Sequence, residues 1–145
     1  MAKVLLKKLD PSVNLPVYKT IGSSGMDLIA FTKKPINIKP NSSCLIPTGI
    51  AIAFSKDYEI QIRPRSGLAA KNNINVLNSP GTIDSDYRGE IKVILYNHGN
   101  GDFIVNNGDR IAQMVLAPVI KADIEVTNEL PETLRGEGGF GSTGK

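Results

Sequence analysis

Two carboxylates and a phenol stand together in the stretch Asn78-Ser79-Pro80-Gly81-Thr82-Ile83-Asp84-Ser85-Asp86-Tyr87-Arg88-Gly89-Glu90. Turn chemistry accounts for Pro80, Gly81 and Gly89. It does not account for Asp84, Asp86 and Tyr87 set beside Arg88. Two close carboxylates can divide roles, one activating water and one holding structure. A second stretch, Arg63-Pro64-Arg65-Ser66-Gly67-Leu68-Ala69, places two arginines and a hydroxyl where a helix begins. Backbone N–H groups and the helix dipole favour an anion there, and a guanidinium strengthens the hold. The same residues also read as a simple capped turn, with Ser66 as the N-cap.

Three further polar clusters interrupt the apolar pattern. Ser24-Gly25-Met26-Asp27-Leu28-Ile29-Ala30 reads as a turn in which Asp27 bonds local backbone. Asn106-Asn107-Gly108-Asp109-Arg110-Ile111-Ala112-Gln113 reads as a type I′-like turn with Asp109 and Arg110 paired. Residues 135–145, from Arg135 to Lys145, carry five glycines and a single aromatic, Phe140. Such a segment loses much entropy on ordering and builds no core, so a mobile arm is expected. Gly139 to Lys145 satisfies most of the phosphate-loop pattern G-x-x-x-x-G-K. That motif also needs a strand before it, and a Ser/Thr and a helix after it, so a phosphate-loop fold is not expected. Glycine amides wrapped on phosphate remain a sound idea. His98, between Asn97 and Gly99, reads as a surface histidine at a turn. Cys44 opens an apolar strand and should pack against the core. Neither Ser–His–Asp chemistry nor His/Cys metal ligation is supported.

The elements that must hold these clusters are short. Apolar runs, rich in β-branched residues and punctuated by Pro, Gly and Asn, predict strands near 3–7, 36–39, 44–54, 58–63, 74–77, 90–97, 103–105, 110–120 and 122–127. Only Ser66 to Asn72 looks helical. The fold class expected is all-β, a jelly-roll barrel or sandwich with one short helix. At 145 residues there is room for one core, which gives a barrel domain over 1–134 and a glycine-rich C-terminal arm over 135–145. The 78–90 stretch would be a long hairpin loop. A net charge of +3 with no dense basic block suits a small polyanion at least as well as nucleic acid, and no nucleic-acid partner is expected. No apolar run approaches the ~18 residues of a membrane span. One cysteine and no signal-like start fit a cytoplasmic setting.

In order and spacing, the five clusters resemble the five signature motifs of the trimeric dUTPase family, from Ser24 to Gly144. The resemblance implies a homotrimer with shared active sites, Mg²⁺ as cofactor, and hydrolysis of dUTP to dUMP and pyrophosphate. That activity would supply dUMP for thymidylate synthesis and keep uracil out of DNA. It further implies that Asp84 activates the attacking water and meets the 3′-hydroxyl, and that Tyr87 excludes a 2′-hydroxyl. Asn78 and the 78–87 backbone would read uracil in a pocket lined by Gly81, Thr82 and Ile83, with Lys92 contributing from the return strand. Arg65, Ser66, Gly67 and Gln113 would grip the phosphates, and Asp27 would order water around Mg²⁺. The arm would close as a lid, with Phe140 over uracil and Arg135, Gly141, Ser142 and Thr143 near the β- and γ-phosphates. The chemistry is consistent: in-line attack on phosphorus needs a positioned base and charge neutralisation. Mg²⁺ prefers phosphate oxygens and water to a protein cage.

A related family, the dCTP deaminases, shares the fold and part of the hairpin motif. There the loop resembles I-D-P-G-W and a glutamate on the following strand is the general acid/base. Here the loop reads Ile83-Asp84-Ser85-Asp86-Tyr87, and the glutamate position falls on Ile94. A non-catalytic β-barrel binding protein would have no use for Asp84.

Overall fold

β-branched residues alternating with polar ones favour extended chain. In the computed structural model, which describes residues 2–139, they form eleven strands around one core. These are β1 Val4–Lys8, β2 Met26–Ile29, β3 Ile36–Ile38, β4 Ser42–Pro47, β5 Ile50–Phe54 and β6 Tyr58–Arg63, then β7 Ile74–Val76, β8 Gly81–Ile83, β9 Lys92–Asn97, β10 Phe103–Val105 and β11 Arg110–Pro118. One helix, α1 Ser66–Asn72, joins β6 to β7. The strands associate as β2-β11-β6-β8, β4-β9-β7, β1-β5 and β10-β3, and every pairing is antiparallel. The all-β reading with one short helix holds.

β6 shows how sequence becomes packing. Ile60 and Ile62 point inward and are buried, while Glu59, Gln61 and Arg63 take the opposite face. On that face Gln61 Nε2 donates to Glu59 Oε1 at 2.6 Å, and Arg63 Nε donates to Gln61 Oε1 at 3.0 Å. Inward residues of the other strands, among them Leu28, Ile38, Ile46, Ile74, Leu95 and Ile111, join Ile60 and Ile62 in one cluster. Each such burial contributes about 1.5–3 kcal/mol against conformational entropy. Among the described residues Thr48 and Asn97 are the buried polar ones, and Asn97 makes the larger set of bonds. Its Nδ2 donates to Ile38 O at 2.9 Å and Gly101 O at 2.8 Å, and its Oδ1 accepts from Gly99 N at 2.8 Å. Exposed His98 packs tilted against the Tyr96 ring, and half-buried Cys44 packs on the core, as expected.

Several expectations are corrected. The run 44–54 is not one strand: Thr48 and Gly49 divide it into β4 and β5. Gly49 takes φ +70°, and a Cβ there would lie 2.5 Å from Val13 Cγ2. Residues 122–127 form no strand; their alternation finds no partner strand within the described residues. Ser66 is not the N-cap. Arg65 holds that position with extended φ −91°, ψ 126° and no side-chain cap, so Ser66 begins the helix. β2 and β8, expected as turn and loop, are strands. No helix among the described residues is long and apolar enough to cross a membrane.

Candidate active site

β7 and β9 are the two arms of a hairpin, with Ile74 opposite Asn97 and Val76 opposite Leu95. The chain between them leaves that sheet. Gly81, Thr82 and Ile83 instead pair with Ile62, Gln61 and Ile60 of β6. A cleft of about 450 Å³ opens between the diverging segments. Asn78, Gly81, Thr82, Ile83, Asp84, Tyr87 and Lys92 all line it, so the hairpin residues that the resemblance assigns to uracil and sugar converge here. Leu45, Ile62, Val76, Val93 and Ile94 supply its apolar surface. Gly81 is closely packed: a Cβ would stand 3.2 Å from Asn78 Nδ2 and 3.3 Å from Ile62 Cβ, so a side chain there would press on Asn78.

The rim of the cleft is built by a turn. Tyr87 N donates to Asp84 O at 3.1 Å, and Arg88 Nη1 donates to Ser85 O at 2.7 Å and to Tyr87 O at 2.9 Å. Tyr87 folds back so that its hydroxyl donates to Glu90 O at 3.1 Å. Glu90 Oε1 accepts from Gly49 N at 2.9 Å, and its Oε2 lies 3.7 Å from Lys92 Nζ. Asp84 is exposed, and among the described residues no donor holds its carboxylate, which leaves both oxygens free to bind water. Asp86 is exposed beside it but does not line the cleft.

The cationic residues gather around β11. Gln113 stands opposite Asp27 of β2 on one side and Arg63 of β6 on the other. Its Nε2 donates to Pro64 O at 2.9 Å, and Gly25 makes room for it, since a Cβ there would sit 2.7 Å from Gln113 Oε1. Gln113, Ser66, Arg63 and Pro64 line a second cleft, with Gln61, Ser79 and Pro80. Arg65 Nε donates to Asp27 Oδ1 at 2.9 Å, and Arg65 Nη1 donates to Arg110 O at 3.1 Å. Arg110 Nη1 meets Asp27 Oδ2 at 3.3 Å. The expected Asp109–Arg110 pair is therefore absent; Asp109 Oδ2 accepts from Asn106 N at 2.7 Å. Asp27 likewise bonds no local turn backbone; it stands on β2 between two guanidiniums.

The two clefts share no lining residue. Gly67 is exposed at the start of α1 and lines neither. Arg135 also lines neither; its Nε donates to Gly138 O at 2.7 Å in a local turn. Phe140, Gly141, Ser142 and Thr143 lie outside the described residues. Among the described residues no group of three His, Cys, Asp or Glu side chains could hold a metal ion. Arg110 and Glu90 are the participants that sequence reasoning missed. Arg110 stands far from its partner Asp27 in the chain, and Glu90 gave only the weak signal of a carboxylate at the foot of a strand. Ile94 lines the hairpin cleft, so the position of a deaminase's glutamate offers no proton shuttle here.

A family model described as dUTPase matches residues 12–144. The deoxyuridine 5'-triphosphate nucleotidohydrolase of Rickettsia massiliae (strain Mtu5) is 58% identical over 145 residues, covering 99% of this chain and 98% of that protein. The enzyme of the same name from Maricaulis maris (strain MCS10) is 55% identical, over 97% of this chain and 95% of its own. Among solved structures, the dUTPase of Staphylococcus bacteriophage 80alpha with dUPNHPP superposes with a TM-score of 0.88 at 22% identity, covering 99% of each chain. A mutant dUTPase from phage phi11 of S. aureus, described with a coordinated structural Mg(II) ion, gives 0.80 at 18% identity over 90% of this chain and 99% of that one. The fold these structures share with the chain is the jelly roll.

Proposed function

The chain belongs to the dUTPase family and is a dUTP diphosphatase; from that premise we propose that water held by Asp84 attacks the α-phosphorus of dUTP, giving dUMP and pyrophosphate. The observation that carries this reading is the hairpin cleft, where the Asp84 carboxylate and the Tyr87 phenol stand with Asn78 and Lys92 around apolar side chains. Uracil enters that pocket, read by Asn78 and the 78–87 backbone, with Gly81, Thr82 and Ile83 too close to admit a thymine methyl. Tyr87 lies against the sugar and excludes a 2′-hydroxyl. Lys92 contributes positive charge from β9.

Arg65, Ser66, Gly67 and Gln113 take the phosphates, where guanidinium and backbone donors offset developing charge. Mg²⁺ on the triphosphate would supply further charge neutralisation. The donor set of this chain fits such an arrangement, because its carboxylates are too dispersed for a protein cage and Mg²⁺ keeps water readily. Asp27, whose oxygens both meet arginine, would serve the ion only through ordered water.

The hairpin cleft shares no residue with the cleft that Ser66 and Gln113 line in the same protomer, which supports a site completed by neighbouring subunits of a homotrimer. The arm 135–145 then closes over the bound nucleotide, with Phe140 on uracil and Arg135, Gly141, Ser142 and Thr143 at the outer phosphates. The enzyme works in the cytoplasm, supplying dUMP for thymidylate synthesis and keeping uracil out of DNA. Pyrophosphate release measured across the deoxynucleoside triphosphates, with ammonia release from dCTP as the comparison, tests the reading. Selective pyrophosphate release from dUTP is expected; ammonia from dCTP, or neither product, overturns it.

A further inference from the structure

We infer that Gly89 is a specificity-positioning residue: by lacking a Cβ, it lets the Tyr87 ring fold back into the pose that closes the sugar side of the hairpin cleft. The inference rests on the assignment of Tyr87 as the sugar gate. Tyr87 is 45% exposed, and a ring that open to solvent is not fixed by core packing. Two contacts with the next residues fix it instead. The hydroxyl donates to Glu90 O at 3.1 Å. The ring itself lies over Gly89, where a Cβ would fall on the phenolic oxygen, 2.5 Å from Cζ and 3.0 Å from Cε2. Non-bonded carbons do not approach so closely.

The backbone does not ask for glycine at this position. Gly89 lies outside the left-handed region, unlike Gly49 at φ +70°. The three atoms nearest an alanine methyl all belong to the Tyr87 side chain, so the substitution acts first on the ring. The chain on the far side cannot give way easily either. Ile91 N donates to Ile50 O at 2.9 Å, Thr48 Oγ1 donates to Ile91 O at 2.6 Å, and Glu90 Oε1 holds Gly49 N. Before it, Arg88 staples the carbonyls of Ser85 and Tyr87. With both flanks anchored, a methyl at 89 must swing the ring off Glu90 O and out of the cleft mouth.

The test measures kcat/KM for dUTP and for UTP on the full-length enzyme and on Gly89→Ala, Tyr87→Ala and the double variant. Gly89→Ala should lower the preference for dUTP over UTP by about tenfold or more, the scale of steric discrimination in a shaped pocket. Added to Tyr87→Ala, it should change the preference no further, because the ring it acts through is gone. Two results overturn the role of Gly89 while leaving Tyr87 as the gate. One is selectivity retained in Gly89→Ala but lost in Tyr87→Ala; the other is an equal effect of Gly89→Ala in both backgrounds. Unchanged selectivity in Tyr87→Ala fails the underlying assignment, and the inference with it. Should Gly89→Ala not fold, thermal melts of the double variant decide. A folded double variant puts the damage in the ring contact and supports the inference, whereas an unfolded one puts it in the backbone and overturns it.

Discussion

Arg65 Nε donates to Asp27 Oδ1 across 2.9 Å, joining the head of α1 to β2 over 38 positions of sequence. Arg110 reaches the other oxygen at 3.3 Å, so one carboxylate holds two guanidiniums that would otherwise repel each other. The Asp27 side chain is only 16% exposed, which limits solvent screening of the Arg65 contact. Asp27→Asn keeps the volume but removes the charge that anchors both. A charge-assisted hydrogen bond of this kind contributes about 1.5–3 kcal/mol. We expect kcat/KM for dUTP to fall by about tenfold to a hundredfold as Arg65 loosens. Stopped-flow proton release or a coupled pyrophosphate assay reads the kinetics, and urea unfolding the smaller stability loss. Undiminished kcat/KM would show that Arg65 is oriented without Asp27.

The Asp84 carboxylate contributes little to the fold, being exposed and, among the described residues, unbonded. Asp84→Asn should therefore melt like the parent enzyme while losing at least ~10²-fold in kcat, the usual contribution of a positioned general base. Circular dichroism and steady-state kinetics on one preparation separate the two effects. Near-parental turnover with an intact melt would assign the water to another group.

The hairpin cluster was legible because its residues are contiguous. A loop that carries Asp84, Tyr87 and Asn78 between two apolar runs brings them together whatever the rest of the chain does. The strands legible in the sequence include those with long β-branched alternation, as in β6 and β9, and the short apolar runs of β3, β7 and β10 set off by turn residues. β2 and β8 were not legible, since they are only four and three residues long and Asp27 and Gly81 disfavour strand; β11 and β6 impose it by supplying the ladders. The break within 44–54 was hidden because Gly49 looks like any residue in an apolar run until its φ is known. The Asp27–Arg110 contact spans 83 positions and leaves no local signal. Residues 122–127 alternate as a strand does, yet a strand needs a partner edge that a single chain does not provide here.

That unpaired segment leads to the next expectation. Ile120, Ile124, Val126, Leu130 and Leu134 are 95%, 84%, 93%, 83% and 111% exposed in the isolated protomer. Aliphatic side chains in such a row are costly in water, at about 1.5–3 kcal/mol each relative to full burial. Covering by neighbouring copies removes that cost, so light scattering should return the mass of three chains. Ile124→Asp combined with Leu130→Asp should shift the mass toward one chain and depress kcat together, because a site shared between subunits is lost with the assembly. A fully active monomer would end the argument for a shared site.

Deleting residues 135–145 separates the barrel from the arm. Residues 135–137 are exposed, and among the described residues Gly136 and Gly138 donate only within the local turn, to Thr133 and Arg135. The melting temperature should therefore stay nearly unchanged, as little buried area is removed. The same deletion should cut kcat far more than it weakens dUMP binding, because a lid that meets the outer phosphates stabilises the transition state and has nothing to hold in the product. Phe140→Ala alone should reproduce part of the loss by removing a stacking surface for uracil. Limited proteolysis gives a second reading. Mg²⁺ with a non-hydrolysable dUTP analogue should protect the arm, and dUMP should protect it less, since closure depends on the triphosphate. If the shortened enzyme turns over dUTP at the full rate, residues 135–145 take no part in the reaction.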